Sequence, residues 1–356
     1  MSVSILAAQT NDLIRDGMLD AAIASAAQCI TAILHEKNEI NATVTFASKK
    51  AIGVAAERHV VLTLQSSRVT LTVPAEMVHS TFSNNVNSFR LIATLINAYS
   101  VRKVVDGRAI IDLEDAGNAG DYDRTSFSSP LSNSHLVVDT YFVESTGYAK
   151  LRSEVDAAWV PWLDRDVSVF WRGATNGLQS PIPPPDNWHW RWLPRLHLCD
   201  VARRSYLTER LNIGVFNLAQ IQEESTRQAI ALSTFIRPRV PRMEFIKYRY
   251  VMDIDGNGNA WDGLFGALLM GSCILKVTSP HGWRQWYYDR LIPNVHFLPV
   301  KSDLSDFNDT LDWAFAHPKE CAEIGRRARQ LALSINYEDE VDLSALKLAR
   351  LLEKAN

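Results

Sequence analysis

The sequence predicts an α/β protein built as two halves facing a cleft. Three observations carry that prediction. The 356 residues are 47% hydrophobic and 22% charged, a globular composition and enough chain for about two domains at roughly 100–200 residues each. Short β-branched runs alternate with stretches of helical period, as parallel strands covered by helices do. The alternation restarts near residues 150–165, dividing a domain of residues 1–155 from one of residues 156–356.

The elements follow in order. Leu13, Ile14, Met18, Ala21, Ile23, Ala26, Ile30 and Ile33 recur at helical spacing, so 11–37 reads as an amphipathic helix. Thr43–Phe46, Val60–Leu64 and Val69–Val73 are short strand candidates, and VTLTV alternates as a half-buried strand does. Helical period returns over Asn84–Tyr99, and RAIIDLED (108–115) is an apolar strand ending in acids. Residues 117–134 form a polar loop, HLVVD (135–139) a strand, and Thr146–Val160 a helical segment. VSVFWRG is a strand running into a glycine, and the four prolines of 178–188 impose an irregular loop. Beyond it PRLHLCDVARR, LAQIQEESTRQAIAL and DGLFGALLMG read as helices, and RLNIGVF, YRYVMDID, CILKV and VHFLPV as strands. Asp303–Ala316, Pro318–Ile335 and Glu340–Lys354 close the chain as helices.

Composition excludes several functions. A net charge of −3 argues against a partner read through a basic field, so no nucleic acid is expected. Cys29, Cys199, Cys273 and Cys321 are far apart with no C-x-x-C, which argues against a zinc site or a disulfide framework. The longest apolar stretch, Gly263–Leu275, is too short to span a bilayer, and the first residues lack a basic signal-peptide region. The expectation is a cytoplasmic protein, with room for peripheral contact at the inner face of a membrane.

Four motifs carry candidate chemistry. In DIDGNGNAWDG (253–263), Asp253, Asp255, Asn257 and Gly258 imitate positions 1, 3, 5 and 6 of an EF-hand loop. Position 12 is Leu264 instead of the bidentate glutamate, and calcium is rejected. A dinucleotide fingerprint would need glycine at Trp261. What remains is strand, Gly/Asn loop and helix, through Asp255, Gly256, Asn257, Gly258, Asn259 and Trp261. Its backbone N–H groups suit an anion such as phosphate, with an ordinary βα turn as the plain alternative. In FWRG, Arg172 follows a strand and can fork onto a phosphate pair; Gly173 permits close approach and Thr175 adds a hydroxyl. The alternative is a core tryptophan beside a surface arginine. Arg195 is a further phosphate candidate, whereas Arg191, Arg203 and Arg204 read as solvated.

Trp283, Trp286, Tyr287 and Tyr288 could stack on a base or sugar, but W-x-x-Y-Y at helical spacing reads more simply as core. His281 and His296 lack metal-ligand spacing, so no metal is expected. In the acid cluster, Asp112 and Glu114 share a strand face and Asp115 points elsewhere. A carboxylate there suits a general base, or is merely solvated.

Taken together, these blocks resemble glycosyltransferase family 90, which includes Rumi-type protein O-glucosyltransferases and capsule- or lipopolysaccharide-modifying enzymes. FWRG-A-T resembles its R-G block, YRYVMDIDGNGNAW its K-Y-x-x-x-x-D-G block, and GSCILKV with WYYDRLIPNVHFLPVKSDLSD its last block. The resemblance covers about 165–330. It implies a GT-B-like architecture of two Rossmann-like domains, with the C-terminal helices packing back. The N-terminal domain takes the acceptor and the C-terminal one the nucleotide sugar. It further implies inverting transfer from a UDP-sugar, glucose or xylose favoured, with no obligatory cofactor and a glycan or lipid-linked glycan as acceptor. By position, Arg172, Gly173, Thr175, Arg195, Asp255, Gly256, Asn257, Gly258, Asn259 and Trp261 would hold the nucleotide, and Asp115 would be the base, with Glu114 and Asp139 as rivals. One departure stands out. Rumi-type members carry an arginine at the start of the helix after the D-G loop, where this chain reads WDGLF. That implies a bacterial-type branch, and it keeps open a second reading, a nucleotide-sugar-binding protein without chemistry.

Overall fold

The computed structural model describes residues 4–7, 41–54, 58–65, 68–74, 76, 105–114, 124–130, 136–177, 190 and 193–354. The helices expected at 11–37 and 84–99, the proline-rich stretch 178–188, Cys29 and Asp115 lie outside the described residues.

The chain divides into two units. Met1–Gly147, Arg284–Trp286 and Asn336–Asn356 make the first; Tyr148–Trp283 and Tyr287–Ile335 make the second. The division thus falls before residue 155, because Tyr148 stacks on Phe265 at 4.8 Å and Arg152 donates to the carbonyls of Ala332 and Ile335, all within the second unit. Residues 336–356 belong with the first unit instead of continuing the second.

The first unit holds β1 (Ser4–Ala7), β2 (Asn41–Ala47), the short helix α1 (Lys49–Ile52), β3 (His59–Gln65), β4 (Arg68–Pro74), β5 (Gly107–Asp112) and β6 (Arg124–Thr125). They form one sheet in the order β1-β2-β4-β3-β5-β6. The expected parallel pattern holds for β1–β2, β2–β4 and β5–β6, while β3 runs antiparallel to β4 and β5. The reason lies in the chain: β3 ends at Gln65 and β4 begins at Arg68, and so short a connection closes a hairpin but cannot make the crossover that parallel strands need. Residues 136–139 form no strand beyond a single bridge at Leu136. The chain instead enters α2 (Thr140–Glu144), N-capped by Asp139, whose carboxylate accepts from the Phe142 N–H. The last helix, Tyr337–Lys354, packs on β5. It comes so close that a Cβ at Gly107 would lie 2.4 Å from the Leu352 carbonyl oxygen.

The second unit holds α3 (Ala149–Ala157), β7 (Asp166–Ala174), α4 (Pro194–Arg204), β8 (Leu211–Asn217), α5 (Glu224–Ala231), β9 (Tyr248–Asp253), α6 (Asp262–Met270), β10 (Cys273–Val277), β11 (Leu298–Val300), α7 (Phe307–Ala316) and α8 (Pro318–Ser334). Its sheet is wholly parallel, in the order β11-β10-β9-β7-β8. β9 and β10 are mostly apolar and buried along almost their whole length, as strands of a parallel sheet covered on both faces are; Val251, Met252, Ile274 and Leu275 are buried. α6 is apolar all round and buried from Leu264 to Met270, as a helix inside a core must be. It stops at Gly271, whose φ of 67° forms the left-handed C-cap. Several expected extents shrink: residues 218–223 stay outside α5, 295–297 outside β11 and 303–306 outside α7, and the stretch 283–288 forms no α-helix. Trp283, Trp286, Tyr287 and Tyr288 are nevertheless buried, through turns at Gly282 and Asn294 that both take positive φ.

The strand order positions the site. From β7 the chain leads to β8 on one side; from β9 it leads to β10 on the other. In doubly wound sheets the crevice lies where successive connections diverge, outside the carboxyl ends of the strands. Here that point lies between β7 and β9.

Candidate functional site

A cavity of ≈ 350 Å³ opens at that point. Trp171, Arg172 and Gly173 enter it from the end of β7, Phe216 from β8, and Met252, Asp253 and Ile254 from β9. Asp262, Gly263 and Gly266 contribute the first turns of α6. Arg195, on the first turn of α4, completes the basic lining together with Arg239 and Arg242, from the loop between β8 and β9.

Most of the residues singled out in the sequence have structural partners. Arg195 donates from Nε to the Asp255 carbonyl at 3.0 Å, from Nη1 to Asn176 Oδ1 at 2.6 Å and the Ala174 carbonyl at 3.3 Å, and from Nη2 to the Ile254 carbonyl at 3.2 Å. It thereby ties the end of β9 to the end of β7. Burial lowers its pKa to about 10, with Asp253 and Asp255 resisting the shift. Arg172 donates to the carbonyls of Trp171 and Asn212, at 2.8 and 2.7 Å, and to Asn212 Oδ1 at 2.5 Å. Burial, then the charge of Arg237, lowers its pKa. Thr175 is buried and donates its hydroxyl to the Ala219 carbonyl at 2.7 Å, away from the cavity.

The loop after β9 is held from both sides. The Gly256 N–H donates to the Gly258 carbonyl at 2.9 Å. A Cβ at Gly256 would lie 3.1 Å from both Arg195 Nη2 and Asn176 Nδ2, so glycine admits the arginine. Asn259 is buried and donates to the Trp283 carbonyl at 3.0 Å. Trp261 leads into α6 with φ 46° and ψ −123°, a conformation a bulky side chain adopts only at a cost of ~1–3 kcal/mol. Among the described residues the buried Asn257 side-chain oxygen has no hydrogen-bond donor.

Beneath the loop lies a buried charge cluster. Lys276 Nζ donates to Asp253 Oδ2 at 2.6 Å, so an ammonium occupies the first position of the calcium-like pattern. Burial works against the Lys276 charge, but Asp253 and Asp255 outweigh it and its pKa stands above the usual lysine value. Neither oxygen of Asp255 finds a hydrogen bond of good geometry. Burial raises its pKa, tempered by the Lys276 charge and the Ser279 hydroxyl.

The candidate bases lie in the first unit. Asp115 is outside the described residues. Glu114 pairs with Arg58 at 3.2 Å, and its N–H donates to Asp112 Oδ1 at 2.9 Å. Asp139 is buried; besides capping α2 it accepts from Trp286 Nε1 at 3.2 Å. His59, Asp112 and Arg124 form a buried cluster that the sequence did not announce, with His59 Nε2 3.7 Å from Asp112 and 2.7 Å from Arg124 Nη1.

The β9–loop–α6 unit lies inside the segment that a family model matches. Residues 208–342 match the family model for glycosyl transferase family 90. The family-90 resemblance drawn from the D-G block and from GSCILKV with WYYDRLIPNVHFLPVKSDLSD falls within this match, while FWRG and Arg195 lie upstream of it. Protein O-glucosyltransferase 2 of Danio rerio is 34% identical over 99 residues, 28% of this chain and 19% of its own. Protein O-glucosyltransferase 3 of Homo sapiens is 31% identical over 90 residues, 25% of this chain and 17% of its own. Uncharacterized protein 035R of Invertebrate iridescent virus 3 is 40% identical over 84 residues, 24% of this chain and 8% of its own. The chain thus spans less than a quarter of the length of each. These relatives are viral and animal, and the bacterial-type branch stays an expectation. The crystal structure of Anabaena Alr3699/HepE in complex with UDP and glucose aligns over 98% of this chain and 78% of its own, at 11% identity and a TM-score of 0.35.

Proposed function

We propose that this chain is a glycosyltransferase that moves a sugar from a UDP-sugar to a hydroxyl of a glycan acceptor, with inversion at the anomeric carbon. The observation that carries the reading is the basic cavity between β7 and β9, which is lined by the β9–α6 segment that matches family 90. A dianionic diphosphate suits its arginines, and Trp171 and Phe216 offer apolar walls. Glucose is the favoured sugar, because the animal relatives are named protein O-glucosyltransferases; xylose is the second choice. The acceptor we propose is a lipid-linked, lipopolysaccharide or capsule glycan, presented at the cytoplasmic face of a membrane.

In this reading the acceptor hydroxyl attacks as a carboxylate takes its proton, help typically worth ~10²–10⁴-fold. Asp115 is the base. Its rivals have other duties: Glu114 is tied to Arg58 and Asp139 caps a helix. The departing diphosphate is stabilised by fixed positive charge, each donor contributing about 3–4 kcal/mol.

The test is calorimetric titration with UDP, UDP-glucose, UDP-xylose, GDP and CMP, with and without EDTA, followed by release of UDP from the bound donor on adding glycan acceptors. UDP-selective binding that survives EDTA, and turnover lost in Asp115→Asn, are the expected results. Binding without turnover or donor hydrolysis would identify a nucleotide-sugar-binding protein instead. No nucleotide binding at all would defeat the reading.

A further inference from the structure

Four arginines line the cavity, and they differ in what their guanidinium groups already do. Arg172 and Arg195 are committed to backbone carbonyls and asparagine oxygens. Turning either toward a ligand would strip hydrogen bonds from carbonyls of the strands, leaving buried acceptors unsatisfied. Arg239 is exposed and lies 5.6 Å from the centre of the Phe216 ring. No ion pair or hydrogen bond holds it among the described residues. Arg242 pairs with Asp262, in the first turn of α6. That pair is 39% and 25% exposed, and ion pairs that water reaches are weak. An incoming dianion that binds a guanidinium bidentately can replace such a partner.

Resting on the donor-site reading above, we propose that Arg239 and Arg242 are the diphosphate-gripping residues of this cavity, and that Asp262 holds Arg242 until the ligand takes it over. Arg172 and Arg195 shape the pocket and supply field. The carboxylate of Asp262 stands at the helix start, where negative charge is favoured, and yields that place to phosphate. Asp262 is therefore a built-in competitor of the ligand, and its removal strengthens binding.

The experiment measures the affinity of the full chain for UDP and, separately, for inorganic pyrophosphate, by calorimetry at fixed ionic strength. Arg239→Ala and Arg242→Ala are each expected to weaken both ligands ~10–100-fold, the effect of losing one charge-assisted contact. Asp262→Asn is expected to tighten both by up to ~5-fold. Arg239→Lys keeps the charge without the fork and should fall between Arg239→Ala and the unaltered protein. Both positions are exposed, and ligand-free melting curves check that each variant folds. Unchanged affinities in the arginine variants, or weaker binding in Asp262→Asn, would overturn the assignment while UDP binding by the unaltered protein left the donor reading standing. Arginine-dependent binding of pyrophosphate but not UDP would do the reverse. Binding of neither would overturn both.

Discussion

The two sheets handle the polar groups at their strand ends in opposite ways. In the second unit every strand runs the same direction, so the ends of β7, β8 and β9 and the start of α6 gather on one edge and frame a cavity. In the first unit β3 runs backward, so His59 at its start stands opposite Asp112 at the end of β5. Those two residues and Arg124 lie against one another inside the sheet, Arg124 Nη1 within hydrogen-bond distance of the His59 ring. In this chain the parallel sheet frames a cavity whose exposed arginines can meet a ligand, whereas the mixed sheet pairs its end groups internally. Even within the second unit the deepest charges, Lys276 and Asp253, are paired.

The sharpest way to break this contrast is at that pair. Lys276→Met would leave Asp253 and Asp255 buried without their cation, a loss expected at about 3–5 kcal/mol and measurable by urea denaturation followed by tryptophan fluorescence. A change below 1 kcal/mol would mean that water reaches the cluster. In the first unit, Gly107→Ala forces a methyl against the Leu352 carbonyl and should cost ~1–3 kcal/mol, read by the same denaturation.

Asp255→Asn should act in the other direction. The folded chain keeps the Asp255 proton above the ordinary aspartate range near ~3.9, so the unfolded chain releases it first. Stability therefore falls as pH rises from about 4 toward the raised value. The asparagine variant should lose that slope and be the more stable protein at neutral pH; a melting temperature that is lower, or that keeps the same pH slope, would contradict it. The smallest effect belongs to Thr175→Val, which removes one hydroxyl bond to the Ala219 carbonyl. About 1 kcal/mol of stability should be lost with nucleotide affinity unchanged, and a large affinity loss would return Thr175 to the binding surface.

Much of the second unit was legible because local rules and tertiary placement agree there. Pro194 opens α4, Gly271 stops α6, and apolar runs became buried strands. In the first unit the β-branched runs were visible, but their direction was set by a two-residue gap that periodicity does not register. The burial of Trp286 and Tyr287 was readable, though their helix was not: turns can bury the same side chains that a helix would. Arg172 and Arg195 were picked by position, and both line the cavity, yet no sequence rule shows that neighbouring carbonyls already occupy them. Arg239 and Arg242 sit in RPRVPR, an irregular stretch with no period. They reach the cavity because the bridge between Val215 and Ile236 lays that stretch alongside β8.

The last helix packs against β5, more than two hundred residues earlier in the chain, with Gly107 fitted to Leu352. During synthesis at ~5–20 residues per second, the strands of the first unit leave the ribosome well before the helix that packs on them. The second unit, interposed between them in the sequence, has all its parts as soon as Ile335 emerges. The half translated later can therefore finish folding first, and the earlier half spends that interval with one flank of its sheet uncovered, the stage at which a chaperone would have most to hold.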